Sequence, residues 1–139
     1  MILIDTPIWS LALRRRSVDL SVTERSHVRE WERLVRDGRA AILGVVRQEL
    51  LCGVRGEEAW ERLRDALRAF PDVPIATLDH ETAARFFNQC RAKGVTGSAI
   101  DLLVCSVSHR LHAPVYTADS DFARYARLLG ISLHRPASA

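Results

Sequence analysis

Short apolar runs alternate with longer segments of helical pattern along the chain, and this alternation restricts the fold more than any other feature. Residues Ile2 to Ile4 form the first run of strand length, and segments with apolar residues three and four positions apart follow it. Parallel strands need a crossover connection between them, which is usually a helix. The pattern therefore predicts an α/β fold, a three-layer sandwich in which helices flank a central, mainly parallel sheet.

Capping and stop signals predict where the elements begin and end. Thr6 followed by Pro7 predicts a helix start just after Asp5, with Thr6 as its N-cap. Asp79 and Asp119 are predicted to cap two later helices. Further strands are predicted at 40–43, 73–75, 114–117 and 131–133, and further helices at 20–36, 45–52, 57–70 and 99–111.

The length of 139 residues predicts one domain, over 1–135, followed by a short frayed tail at 136–139. The N-terminal apolar run is interrupted by Asp5 and is too short for a signal peptide. No stretch approaches the length of a membrane span, and the three cysteines fit no zinc pattern. We therefore expect a cytoplasmic protein with reduced thiols.

The positive charge of the chain is almost entirely arginine. The formal net charge is +3, and Lys93 is the only lysine. The planar guanidinium group bonds phosphates and carboxylates in pairs. This composition is compatible with an RNA or an acidic protein as partner, although genomic base composition also enriches arginine.

Two acidic residues are predicted to follow strands directly. Asp5 comes after the first apolar run, and Asp119 follows the run at 114–117. Ligands of open parallel sheets bind beyond the carboxyl ends of the strands. Asp5 and Asp119 are therefore predicted to face one crevice.

Two further carboxylates are predicted to lie on helix faces that are otherwise small or apolar. Val45 and Val46 lie one turn before Glu49, so the pattern predicts an inward-facing glutamate. Such a group is costly to bury unless a partner compensates its charge. Asp101 is the only carboxylate on its helix face and lies in the first turn.

Each acid also has a structural interpretation. Asp119 can serve as a helix cap, Asp5 as a turn residue, and Asp101 as half of a capping box with Ser98. Together, however, inward carboxylates without inward cations repel one another. A hard divalent cation removes that repulsion, and oxygen ligands suit Mg²⁺ or Mn²⁺.

Four segments of the chain together resemble the PIN-domain nucleases, and specifically the VapC-type toxins of prokaryotic toxin–antitoxin pairs. The segments are ILIDTPIW, VVRQELLCG, TGSAIDLLVCSVSHR and PVYTADSDF. They span nearly the whole chain, and the order and spacing of their acids fit this family throughout.

The resemblance implies a PIN-like sandwich and an endoribonuclease that uses one or two Mg²⁺ or Mn²⁺ ions. It also implies an RNA substrate, a homodimer and a cognate antitoxin that blocks the site. The implied catalytic and metal-binding residues are Asp5, Glu49, Asp101 and Asp119, of which Asp5 and Asp101 are the best candidates for direct ligands. The implied auxiliary residues are Asp121, Thr6 and Thr117.

Two alternatives remain open at this point. Asp119 and Asp121 superficially match the paired aspartates of haloacid dehalogenase-type phosphatases, although the only lysine, Lys93, lies upstream of them. The second alternative is a catalytically silent RNA-binding PIN module, against which the presence of all four acids argues. Hydrolysis of a phosphomonoester without RNA cleavage would favour the first, and RNA binding without cleavage the second.

Overall fold

A computed structural model describes residues 1–137 of the chain. Its sheet contains three parallel strands, β1 (Ile2–Ile4), β2 (Ala40–Ala41) and β3 (Val115–Tyr116), in the order β2-β1-β3. Leu3 of the central strand aligns with Ala41 on one side and Val115 on the other. All three residues of β1 are buried, as expected for a parallel sheet that is covered on both faces.

The predicted strands at 73–75 and 131–133 are wrong as strands, because only one isolated bridge forms at each place, beside the first segment at Asp72 and within the second at Leu133. Ile42 pairs with Asp72 at one edge of the sheet, and Val115 pairs with Leu133 at the other. At the first edge Pro74 has no N–H group, so it cannot continue the ladder. At the second edge the segment has a neighbour on one side only.

Seven α-helices and one 3₁₀ turn, at Ser17–Asp19, are present in the described residues. The helices are α1 (Thr6–Leu13), α2 (Val22–Arg36), α3 (Gly44–Leu51), α4 (Glu57–Leu67), α5 (Thr77–Ala92), α6 (Ala99–Leu111) and α7 (Asp121–Leu129). None of those seven helices is at once long and apolar enough to cross a membrane.

The predicted helix starts are correct to within about two residues, but some predicted caps are wrong. Asp5 is the N-cap of α1 and Thr6 is its first helical residue. Ser120, and not Asp119, is the N-cap of α7. Ser98 caps α6 as its sequence predicts. The two acids, Asp5 and Asp119, therefore lie at strand-to-helix junctions.

The helices form two layers around the sheet. The chain moves from β1 to β2 in one direction and then returns past β1 to reach β3. Because crossovers between parallel strands are right-handed, two crossovers in opposite directions cover opposite faces. Accordingly α1 packs on α2 in the first crossover, whereas α5 packs on α6 and α7. Helix α3, which opens the second crossover, lies next to α1. The predicted three-layer α/β sandwich is confirmed.

The buried Trp9 fixes the start of α1 against the end of β1. Its ring N–H donates a hydrogen bond of 3.0 Å to the backbone carbonyl of Ile4. The ring also packs edge-on against Phe70 and Trp31, with centroid separations of 4.9 and 5.6 Å. These contacts hold the β1–α1 junction, and with it Asp5, in one position.

The tail is partly attached to the fold, contrary to the expectation that it is frayed. The backbone N–H of Ala137 donates a hydrogen bond of 3.0 Å to the carboxylate of Glu30. Residues 138 and 139 lie outside the described residues, and the domain boundary at 135 stays a prediction.

Candidate active site

The crevice between the carboxyl ends of β1 and β3 is the point at which the strand order reverses, and ligands of open parallel sheets bind at such points. Asp5 follows β1, and its backbone N–H donates to the Tyr116 carbonyl at 2.9 Å. The Thr117 hydroxyl donates a hydrogen bond of 2.9 Å to the Asp5 carboxylate and accepts one of 3.0 Å from the Asp119 backbone. Thr117 thus connects the two acids through its hydroxyl group.

The Asp5 carboxylate is buried without a cationic partner. Asp5 is only 3% exposed. The other two buried acids of the described residues are paired with arginine: Glu30 lies 2.5 Å from Arg33, and Asp79 lies 2.7 Å from Arg110. No ion pair in residues 1–137 includes Asp5. Its negative charge is therefore not neutralised by the protein.

Burial raises the pKa of Asp5 from its ordinary 3.8 to about 6. The hydroxyl of Thr117 and the nearby backbone amide of Thr6 lower the pKa, but they do not offset the burial. The charges of Asp101 and Glu49 raise it further. Three of the four predicted acids therefore interact electrostatically.

Asp101 lies in the first turn of α6, and its carboxylate is half-buried. Its backbone N–H donates to the Ser98 hydroxyl at 3.0 Å, but the described residues include no return bond from the Asp101 carboxylate to the Ser98 backbone. A complete capping box is therefore not formed, although the Ser98 hydroxyl also acts on the Asp101 carboxylate and lowers its pKa. Burial, followed by the charge of Asp119, raises the pKa of Asp101.

Tyr125 is a site residue that sequence reasoning missed. Its hydroxyl donates a hydrogen bond of 3.3 Å to the Asp101 carboxylate, and the residue is only 1% exposed. Burial and the charge of Asp101 raise the pKa of Tyr125, so it remains a hydrogen-bond donor at neutral pH. The contact joins α6 to α7 across 24 positions of sequence, which no local pattern reveals.

Gly97 provides the space for Tyr125. A Cβ atom at Gly97 would lie 2.2 Å from a methyl carbon of Leu102 and 3.1 Å from the Tyr125 hydroxyl. Gly97 does not have a positive φ, so close packing and not backbone conformation excludes a side chain here. A glycine just before a helix cap, where no turn needs it, is the sequence signal for this close approach.

The prediction that Glu49 faces inward is wrong, because Glu49 is exposed. The apolar residues one turn before it pack into the core, while the longer glutamate side chain reaches solvent at the rim. Its charge nevertheless contributes to the raised pKa values of both Asp5 and Asp101. Glu49 therefore lies at the edge of the same crevice.

The remaining predicted residues differ in their contacts. Asp119 is half-buried, and one of its carboxylate oxygens accepts a hydrogen bond of 2.9 Å from the backbone of Asp121, which is itself exposed. The hydroxyl oxygen of Thr6 is buried and has no hydrogen-bond partner within residues 1–137. The contact predicted for Thr6 is therefore not found.

The carboxylate oxygens of the crevice are ligands that suit Mg²⁺ or Mn²⁺, although these side chains do not surround one common position. No group of three His, Cys, Asp or Glu side chains in the described part of the chain lies close enough together to hold a metal ion. Mg²⁺, however, usually retains several waters and binds to one or two carboxylates together with substrate phosphates. The buried Asp5 and the half-buried Asp101 meet that requirement.

Solved structures with this fold cover nearly the whole chain. FitAcB from Neisseria gonorrhoeae aligns with a TM-score of 0.76 at 17% identity, over 98% of each chain. A structure of FitAB bound to a DNA fragment has a TM-score of 0.76 at 18% identity, over 98% of this chain and 95% of that one. VapBC2 from Rickettsia felis, bound to a DNA fragment from their promoter, has a TM-score of 0.74 at 19% identity, over 96% and 98%.

Similarity in sequence identifies the family. No curated protein matches the chain significantly. The family model described as "PIN domain" matches residues 2–128, which include all the residues of the acidic crevice. The chain belongs to the PIN domain family.

Proposed function

We propose that this protein is a divalent-metal-dependent endoribonuclease that hydrolyses RNA phosphodiester bonds. The observation that carries the proposal is the buried Asp5 carboxylate, which has no cationic partner and interacts electrostatically with Asp101 and Glu49. A charge buried in this way is costly unless a cation compensates it. Membership of the PIN domain family supports nuclease chemistry at this crevice.

In the proposed site Asp5 and Asp101 would be the direct ligands, and Glu49 and Asp119 would complete the site directly or through water. An ion held there would supply an activated water and stabilise negative charge on the phosphate oxygens. Thr117 orients Asp5 through their 2.9 Å hydrogen bond. Glu49 is exposed, so solvent reaches it.

We further propose a biological role, as the toxin of a type II toxin–antitoxin pair in the cytoplasm. The support is that the structures named FitAB and VapBC2 share this fold over almost the whole chain. The acidic crevice suits inhibition by a basic side chain of a cognate antitoxin. A homodimer is the assembly that we expect, with the antitoxin bound to it.

Metal dependence is the first test of the proposed activity. The purified protein should cleave an oligoribonucleotide in Mg²⁺ or Mn²⁺ and should stop when a chelator is added. A small phosphomonoester serves as the control substrate and should not be hydrolysed. Full RNA cleavage in the chelator would reject the metal mechanism, and activity on the phosphomonoester alone would support a phosphatase.

The proposed partner requires a separate test. Co-expression with the protein encoded by the neighbouring gene should give a stable complex in size-exclusion chromatography, and RNA cleavage by that complex should be suppressed. A strictly monomeric chain that never co-purifies with its genetic neighbour would contradict the proposed role as a toxin.

A further inference from the structure

Three arginines from separate segments surround one groove away from the acidic crevice. Arg14 follows α1, Arg55 lies between α3 and α4, and Arg62 lies on α4. All three are exposed, and together they line a concavity of about 490 Å³, which we call the arginine groove. Its remaining lining within the described residues is apolar, with Leu13, Val54, Ala59, Leu63 and Ala66.

No carboxylate neutralises this cluster of positive charge. No ion pair in residues 1–137 includes Arg14, Arg55 or Arg62, and no acidic side chain of that part lines the groove. Elsewhere in the chain arginines that approach a carboxylate bond to it, as Arg33 does with Glu30. Like charges that line one groove repel one another unless an anion lies between them. The groove therefore suits an anionic ligand.

The groove is within reach of a substrate that occupies the acidic crevice. Helix α1 begins directly after Asp5 and ends just before Arg14, and its eight residues correspond to about 12 Å of helix. Glu49 lies on α3, and Arg55 follows it six positions later in the connection to α4. An RNA strand of a few nucleotides can extend from one region to the other.

We propose that the arginine groove binds backbone phosphates of the RNA substrate at a distance from the bond that is cleaved. The inference rests on the proposed function and adds the binding site that it needs. The crevice itself is acidic and repels RNA, so most of the affinity for a polyanion has to come from cations elsewhere on the protein.

The length of the positive surface favours an extended RNA strand as the occupant of the groove. Its charged groups are all guanidinium groups, whose planar forks match the oxygens of a phosphate. The adjoining run of exposed arginines, Arg14 to Arg16, continues the positive surface beyond the groove and gives further phosphate contacts to an extended strand. An acidic protein segment is the alternative occupant, and the experiment distinguishes it.

The test measures RNA binding without cleavage. In an Asp101→Asn background, a labelled single-stranded oligoribonucleotide is titrated with protein across a series of salt concentrations and followed by fluorescence anisotropy. The groove variant carries Arg14→Gln, Arg55→Gln and Arg62→Gln. The matched control removes the same charge at Arg29, Arg85 and Arg91, which are also exposed and in no described ion pair.

Three lost phosphate contacts should reduce the slope of log K against log salt concentration by about 2, since each contact to a single strand contributes about 0.7. Affinity at low salt should fall about tenfold or more, and the control variant should change much less. The single variants Arg14→Gln and Arg62→Gln should each reduce the slope by about 0.7, which keeps the test valid if the triple variant does not fold.

An unchanged slope in a folded groove variant would overturn the inference while leaving the proposed ribonuclease intact. If the protein with its groove unsubstituted neither binds nor cleaves RNA, both the groove proposal and the proposed ribonuclease function would be overturned. Unchanged RNA binding together with loss of the co-purified protein partner would assign the groove to an acidic protein segment, and so would also overturn the proposal.

Discussion

The substitution Asp5→Asn tests whether the site contains a carboxylate that is buried at a cost. The pKa of Asp5 is raised from 3.8 to about 6, a difference that corresponds to about 3 kcal/mol. Below the lower value the side chain is neutral in both the folded and unfolded states, so it costs nothing. As the pH rises through about 6, Asp5 becomes charged in the folded state too. The free energy of unfolding is then lower by the full cost of the buried charge.

The expected result is a pH-dependent difference in the free energy of unfolding. Integration of this linkage gives a shift of about 1 to 2 kcal/mol in favour of Asp5→Asn between about pH 5 and about pH 8 in a chelator. The amide also introduces N–H donors that need partners, which costs about 1 to 3 kcal/mol if they stay unpaired. That cost does not vary with pH. The diagnostic quantity is therefore how the difference in unfolding free energy between wild type and variant changes with pH, and not its value at any one pH.

Urea unfolding of the wild type and of Asp5→Asn across this pH range measures the difference. Asp19→Asn is the matched control, because Asp19 is exposed and forms no ion pair within residues 1–137. Its difference from the wild type should not depend on pH. Added Mg²⁺ or Mn²⁺ should stabilise the wild type more than Asp5→Asn at the alkaline end. An Asp5→Asn difference that stays constant from acid to alkaline pH would refute the reasoning.

Three further substitutions test the surroundings of the site. Tyr125→Phe removes a donor to a carboxylate and should weaken Mn²⁺ binding, measured by calorimetry, about tenfold with little change in melting temperature; unchanged affinity would contradict a positioning role. Gly97→Ala should destabilise the fold by about 1 to 3 kcal/mol in urea unfolding, whereas the control Gly44→Ala, with no neighbour closer than 3.7 Å, should be neutral or stabilising. Glu30→Gln should cost about 1 to 3 kcal/mol near neutral pH. Arg33 holds the pKa of Glu30 down to about 2, so the ionised carboxylate stabilises the wild type fully only above its ordinary pKa of 4.5. The cost of Glu30→Gln should therefore shrink as the pH falls toward 2, and a cost that does not vary with pH would contradict this.

The architecture could be predicted because its signals are local. The alternation of strand and helix patterns and the cap at Ser98 lie in neighbouring residues, so the α/β sandwich follows from them. The two edge segments were overestimated, since an apolar run such as Val73 to Ile75 does not by itself ensure pairing when Pro74 interrupts the donors.

The candidate site was only partly predictable, for a different reason. Asp5 and Asp119 were predicted from strand ends, and Asp101 and Glu49 from the small or apolar faces of their helices. The exposure of Glu49 depends on how neighbouring elements pack around α3, which the pattern of its own helix does not include. The contact from Tyr125 to Asp101 depends on the approach of α7 to α6, and no spacing along the chain encodes it.

The central claim is that the carboxylate of Asp101 acts in cleavage and does not serve merely as part of a helix cap. The most direct test compares the rates of RNA cleavage in Mn²⁺ by the wild type, Asp101→Asn and Ser98→Ala. Ser98→Ala removes the cap hydroxyl that accepts from the Asp101 backbone and should cost about 1 kcal/mol of stability, but its cleavage should stay near the wild-type rate. Asp101→Asn should keep its fold and lose cleavage by about a hundredfold or more, since at least ~2.7 kcal/mol of transition-state stabilisation would be removed. Cleavage by Asp101→Asn at the wild-type rate would contradict the account.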